Sequence, residues 1–252
     1  MKVILLKTGR IINASGGMEK VLFDMANNLS ERGYETTVLG FENKIGKPFF
    51  HINKNVDFIN AGIGYKERNW YINLKSLLSF NRELRSKKRF YIRTKRMAMK
   101  ILPVIHNVKP DIIIVYDKLA NFLIKDVIKL NIPVISMLHF DIESIFRKGY
   151  SYPNKSLEHC ECIQVLCRSY VDILRRFITP KKIQYIPNVV RIPDKMALLE
   201  NKRIINVARV NGEQKRQHIL IQAFAQLPPH SLMNGILNFG ERMMRRKIIV
   251  KN

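Results

Sequence analysis

Residues Asp111–His139 read DIIIVYDKLANFLIKDVIKLNIPVISMLH, and three segments separate within them. Asp111–Tyr116 is a continuous apolar run rich in β-branched residues. A strand wetted on one side alternates polar and apolar positions; one buried on both faces of a parallel sheet does not. Lys118–Lys129 has the length and spacing of a helix, and Pro133–Leu138 is a second apolar run of strand length. Strand, helix and strand in so short a span imply a parallel crossover, because antiparallel neighbours need only a hairpin.

The same alternation extends in both directions. Val3–Lys7 is a short apolar run, followed by a polar, glycine-bearing loop to Gly17. Met18, Val21, Leu22, Met25, Ala26 and Leu29 then recur at helical spacing, with Gly33 as a stop signal. Thr36–Phe41 is strand-like, Val56–Ile59 is a weaker strand, and Tyr71–Asn107 is a long helical region broken near Pro103. On the other side, short helices and loop reach His159. Cys162–Cys167 is a strand, Arg168–Phe177 a helix, and Ile183–Ile186 a short strand closing at Pro187. Alternating strands and helices predict a Rossmann-like, doubly wound parallel α/β sheet.

Three regions are expected: a first domain over 1–187, a linker over 188–201, and the start of a second Rossmann-like domain over 202–252. The linker carries Pro193, several charges and no strand pattern. Beyond it, strand Arg203–Val210, helix Glu213–Leu227 and a strand near Ile236–Phe239 restart the alternation. Completing a second domain takes about 100 further residues, so the second domain is expected to be C-terminally truncated.

With 252 residues, 46% apolar and 25% charged, the chain has the composition of a globular protein. No apolar run reaches the roughly 18 residues of a membrane span. The N-terminus has too short an apolar core for a signal peptide, so a cytoplasmic location is expected. The net charge of +24 points to anionic partners. Lys66–Lys100 holds 12 basic and 2 acidic residues, interleaved with Trp70, Tyr71, Phe80, Phe90 and Tyr91. That segment suits the surface of an anionic membrane, reached peripherally from the cytoplasmic side. A solvated helix face with inward aromatics is the plainer explanation. No nucleic-acid-binding module accompanies the charge, so no specific nucleic-acid partner is expected.

Cys160, Cys162 and Cys167 lack a second ligand pair at zinc-finger spacing, which puts buried free thiols ahead of a metal site. Cys162 and Cys167 are expected to be buried thiols in a strand. The loop Thr8–Gly17 ends in Ser15-Gly16-Gly17 directly before a helix, where free N–H groups and the helix dipole favour an anion. A simple connection capped by Ser15 explains it equally well. Glu19 suits the first helical turn. His139, followed by Asp141, lies beyond the end of a strand, as does Asp117, where open α/β sheets bind ligands; an ordinary loop hydrogen bond is the competing role. Arg209 at a strand end and Lys215 in the turn NGEQKR make a cradle for a diphosphate.

Four segments together resemble family-four glycosyltransferases of the GT-B architecture: NASGGMEK (13–20), MLHFD (137–141), YIPN (185–188) and ARVNGEQKRQH (208–218). The resemblance covers nearly the whole chain. It implies an N-terminal domain for the acceptor and a C-terminal domain for a nucleotide-activated sugar. Arg209 and Lys215 would bind the donor diphosphate and stabilise the departing charge. Gly16 and Gly17 would approach the donor phosphates or sugar, His139 would contact the sugar, and Asn188 would mark the interdomain crossover. The implied reaction is retaining and metal-independent, needs no cofactor beyond the donor, and acts on an envelope glycolipid or polysaccharide. Two departures stand out. Arg216 occupies a position where many relatives carry glycine, and the family's Glu-x7-Glu element lies beyond Asn252. A non-catalytic remnant that binds only membrane or acceptor is the alternative.

Overall fold

The computed structural model describes residues 1–62, 82–147, 152–189, 194, 203–208, 212–213, 215–226 and 236–240. The chain forms two compact units, Met1–Val190 and Arg191–Asn252. In the first, seven parallel strands lie in the order β3-β2-β1-β4-β5-β6-β7. They are β1 (Lys2–Lys7), β2 (Glu35–Gly40), β3 (Val56–Asn60), β4 (Ile112–Val115), β5 (Val134–Leu138), β6 (Cys162–Val165) and β7 (Ile183–Tyr185). The doubly wound sheet expected from the sequence is thus present. Chain direction across the sheet reverses at the β1–β4 boundary, which makes that boundary its topological switch point.

Alternation within the central strands shows why their sequences are apolar throughout. Ile4 and Leu6 of β1 join Ile113 and Val115 in the core on one face. Val3, Leu5, Ile114 and Tyr116 join the core on the other. Helix α1 (Gly17–Glu31) covers the second face, burying Leu22, Phe23 and Ala26. Each large side chain so buried contributes about 2 kcal/mol. Helix α2 (Arg82–Val108) covers the first face through Met97, Ala98, Ile101 and Ile105. Helix α3 (Lys118–Phe122) joins it there through Ala120. Crossovers of one hand leaving the switch point in opposite directions place α1 and α3 on opposite faces.

Several boundaries differ from expectation. Pro103 does not break the helical region: α2 runs through it to Val108. Ile101 and Ile105, on either side, are both buried and hold the helix across the missing hydrogen bond. The expected stretch Tyr71–Asn81 lies outside the described residues. The segment after α3 continues as a π-helix, Leu123–Ile128, and ends where Lys129 turns left-handed at φ 59°.

Cysteine burial is also redistributed. Cys160 is buried, Cys162 is intermediate and Cys167 is exposed. Strand β6 stops at Val165, and its inward positions are taken by Ile163 and Val165, so Cys167 lies past the core. Cys160 Sγ instead meets Asn121 Oδ1 at 3.0 Å. Between β5 and β6 lie α4 (Ile142–Arg147), α5 (Tyr152–Lys155) and a 3-10 turn, Ser156–His159; α6 (Ser169–Arg175) follows β6.

In the second unit β8 (Arg203–Val207), α7 (Gln217–Ala225) and β9 (Ile236–Gly240) form one parallel crossover. The ladder ends at Val207 with Gly240, so β8 is shorter than Arg203–Val210.

Candidate functional site

The carboxyl ends of β1, β4 and β5 enclose a cleft of ≈320 Å³ at the switch point. Lys7 ends β1, Leu138 ends β5, and Asp117 and Lys118 follow β4; all four line it, together with Thr8, Gly9, Met18, Leu119, Phe140 and Leu157.

Asp117 ties β1 to β4. Its Oδ2 accepts from Thr8 N at 2.8 Å, and its Oδ1 accepts from Thr8 Oγ1 at 2.7 Å and from Ala120 N at 2.9 Å. The last bond caps α3, the role in which aspartate is most favoured. With three donors on its carboxylate, Asp117 holds the cleft in shape.

A second carboxylate holds the glycine loop. Glu42 Oε2 accepts from both Ile11 N and Ile12 N at 2.8 Å. Burial pushes the Glu42 carboxyl upward, but those two backbone donors and the Lys44 charge more than offset it, leaving it below the ordinary range. Lys7 and Glu19 form a third link, at 3.0 Å. Gly16 occupies the N-cap position of α1, one residue after Ser15. A Cβ on Gly16 would fall 2.1 Å from Glu19 Oε2, whereas one on Gly17 would meet nothing within 4 Å. A side chain at 16 would therefore push the Glu19 carboxylate from its place over the loop.

His139 follows β5 and stacks on Tyr116, with ring centroids 5.6 Å apart and planes within 9°. Tyr116 is fully buried and donates to Met25 Sδ at 3.1 Å. Burial lowers the His139 pKa from its ordinary 6.5, which keeps the ring neutral at pH 7. Its Nε2 is buried without a hydrogen-bond partner among the described residues. A ligand hydroxyl would satisfy that nitrogen.

The structure thus brings Gly16, Gly17 and His139 to one edge of the first unit. Asn188 is exposed three residues beyond the end of β7. Lys215 belongs to the second unit, exposed in the turn before α7. Arg209 lies outside the described residues. Arg216, the N-cap of α7, is left-handed at φ 49°, the conformation for which glycine is the usual residue and the reason this helix starts at Gln217. Sequence reasoning missed Lys7, Thr8, Glu42, Lys118 and Phe140. Position after a strand end was the available signal for Thr8, Glu42, Lys118 and Phe140.

A family model, Glycosyltransferase Family 4, matches residues 15–192. No curated protein sequence matches the chain significantly. Among solved structures, sucrose-phosphate synthase from Thermosynechococcus elongatus superposes with a TM-score of 0.66 at 13% identity, covering 95% of this chain and 62% of that one. The lipopolysaccharide outer core galactosyltransferase WaaB gives 0.59 at 16% identity, covering 96% and 62%. TarM of S. aureus, solved with UDP, gives 0.62 at 12% identity, covering 96% and 72%. The chain therefore spans under two thirds of the length of the first two.

Proposed function

The chain belongs to glycosyltransferase family 4, and from that premise we propose that it serves the transfer of a sugar from a nucleotide-sugar donor to an envelope glycolipid or polysaccharide. The observation that carries this reading is the cleft at the β1–β4 switch point, close in sequence to Gly16, Gly17 and His139, in a unit that the family match covers from residue 15 onward. In this reading the first unit receives the acceptor. Gly16 and Gly17 approach the donor, and the neutral His139 ring accepts or donates one hydrogen bond at the transferred sugar. Arg209 and Lys215 bind the diphosphate and take up charge as it leaves, without a metal and with retention of configuration. Asn188 marks the crossover between units. An anionic envelope acceptor is in keeping with the net charge of +24 and with a lipopolysaccharide galactosyltransferase among the fold relatives.

Peripheral contact with an anionic membrane belongs to the same proposal. On α2, Leu84, Tyr91 and Met99 are 55%, 59% and 67% exposed, and Lys88 and Lys95 fall between them at helical spacing. Tyr91 thus faces outward, whereas Phe90 packs on Phe122 at 5.3 Å. Each cation near such a surface adds about 1 kcal/mol. Trp70, Tyr71 and Phe80 lie outside the described residues.

Transfer of labelled sugar from a panel of nucleotide sugars onto an envelope extract tests the reading. Turnover that falls about 100-fold in His139→Ala and Lys215→Ala supports it. No transfer from any donor, beside an active family-four enzyme in the same assay, refutes it and leaves a protein that only binds.

A further inference from the structure

We propose that the cleft at the carboxyl ends of β1, β4 and β5 is a subsite for an amphiphilic anion, with Lys118 taking the anionic group and the wall of Met18, Leu119, Leu138, Phe140 and Leu157 taking the apolar part. Identifying that anion as the acceptor, a phosphate-bearing or carboxylate-bearing lipid, rests on the transferase reading above.

The argument begins with the charges in the cleft. Lys7 is matched by Glu19 at 3.0 Å, and its Nζ also donates to Arg10 O at 2.6 Å. Asp117 is occupied by Thr8 and Ala120. Lys118 differs from both. Its Nζ donates to a neutral amide oxygen, Asn154 Oδ1, at 2.7 Å, and among the described residues no carboxylate lies within salt-bridge distance. An ammonium has three donors, and a half-buried one without a counter-ion has lost hydration that nothing ionic replaces. That desolvation lowers the Lys118 pKa from its ordinary 10.5. An incoming anion would meet this cation under reduced screening, where attraction is strongest.

The cation is also held in place. Asn154 is fully buried on α5. The turn that follows is anchored by Asn121, whose Nδ2 donates to Ser156 O at 2.6 Å and to Ser156 Oγ at 3.0 Å. A side chain fixed this way loses little entropy when a ligand arrives. Beyond its polar residues the cleft is lined by apolar side chains, and Phe140 among them is 48% exposed. A large aromatic ring at a cleft mouth gains stability when a chain or ring covers it. A free phosphate would leave that wall wet, and an uncharged lipid would leave Lys118 unmatched. An anion joined to an apolar group satisfies both.

The probes are n-butyl phosphate, inorganic phosphate and 1-butanol, titrated calorimetrically into the full chain at low ionic strength without nucleotide sugar. Butyl phosphate is expected to bind at least tenfold more tightly than either of the others. Lys118→Met should weaken it at least tenfold. Phe140→Ala should weaken butyl phosphate severalfold and leave inorganic phosphate unchanged; this exposed position does not threaten folding. Lys54→Met, at an exposed position just before β3, serves as the control for general charge and should change nothing. Unaltered butyl phosphate binding in Lys118→Met overturns the proposal, as does 1-butanol or inorganic phosphate binding as tightly as butyl phosphate. Because no turnover is measured, a chain that passes this test yet transfers no sugar refutes the transferase reading alone.

Discussion

Lys7 Nζ and Glu19 Oε1 lie 3.0 Å apart, with side chains only 6% and 13% exposed. Lys7 is the last residue of β1 and Glu19 lies in the first turn of α1, so this pair clamps the two ends of the glycine loop. Removing one partner of a buried pair leaves the other charge unmatched, at a cost of about 3 kcal/mol or more. Glu19→Gln should therefore lower the urea midpoint substantially. Lys7→Met combined with Glu19→Gln should recover most of the loss, because no buried charge is then orphaned. A double variant as unstable as the sum of the singles would refute this assignment.

The adjacent glycines should respond differently to alanine. At Gly16 the added Cβ would fall 2.1 Å from Glu19 Oε2, the flexible end of that side chain, so Gly16→Ala should swing Glu19 aside and cost at most the Lys7 link. At Gly17 the space is open, and alanine in a helix should be neutral or stabilising by about 0.5–1 kcal/mol. Any fall in kcat/KM in Gly17→Ala then reports blocked approach of a ligand to the backbone. Thermal unfolding of both variants beside steady-state kinetics separates the two effects.

Glu42 makes the loop sensitive to acid. Its folded pKa lies below the ordinary 4.5, so the stability it supplies is fully present above that value and disappears as pH falls through the lower folded value. Wild-type stability should drop on the acid side of about pH 4.5, and Glu42→Gln should flatten that part of the profile. Glu42→Ala leaves the Ile11 and Ile12 N–H groups without their acceptor, at a cost of about 2–3 kcal/mol. Urea unfolding between pH 3 and pH 7 reads both effects.

The thiols should react in order of exposure. Burial, reinforced by the Glu161 charge, pushes the Cys160 thiol up to about 12, and Cys160 is fully buried. Cys167 is exposed and Cys162 is intermediate. At pH 8 a disulfide reagent should modify Cys167 first and Cys162 more slowly, sparing Cys160 until denaturant is added. Mass spectrometry of peptides from partly labelled protein checks the order. Early labelling of Cys160 would contradict its packing.

The central strands were legible because a parallel sheet needs apolar residues on both faces, and DIIIVY is a β-branched apolar run of strand length. The first helix was legible from its 3.6-residue spacing, which the structure keeps from Gly17 to Glu31. Local rules misled where distant packing overrode them. Proline predicts a break, yet α2 is pinned on both sides of Pro103 by the sheet. The strand pattern CIQVLC suggests two buried thiols, yet the ladder with β7 ends at Val165 and releases Cys167.

By itself the amino-acid sequence determined the doubly wound class and the family resemblance, because both depend on residue type at short spacing. Only the tertiary structure decided which groups share the cleft. Thr8 meets Asp117 across 109 positions, Lys118 meets Asn154 across 36, and Glu42 reaches Ile11 across 31. No periodicity links such positions. They come together because parallel strands deliver their carboxyl ends to one edge of the sheet, and the order of strands, not of residues, chooses the neighbours there.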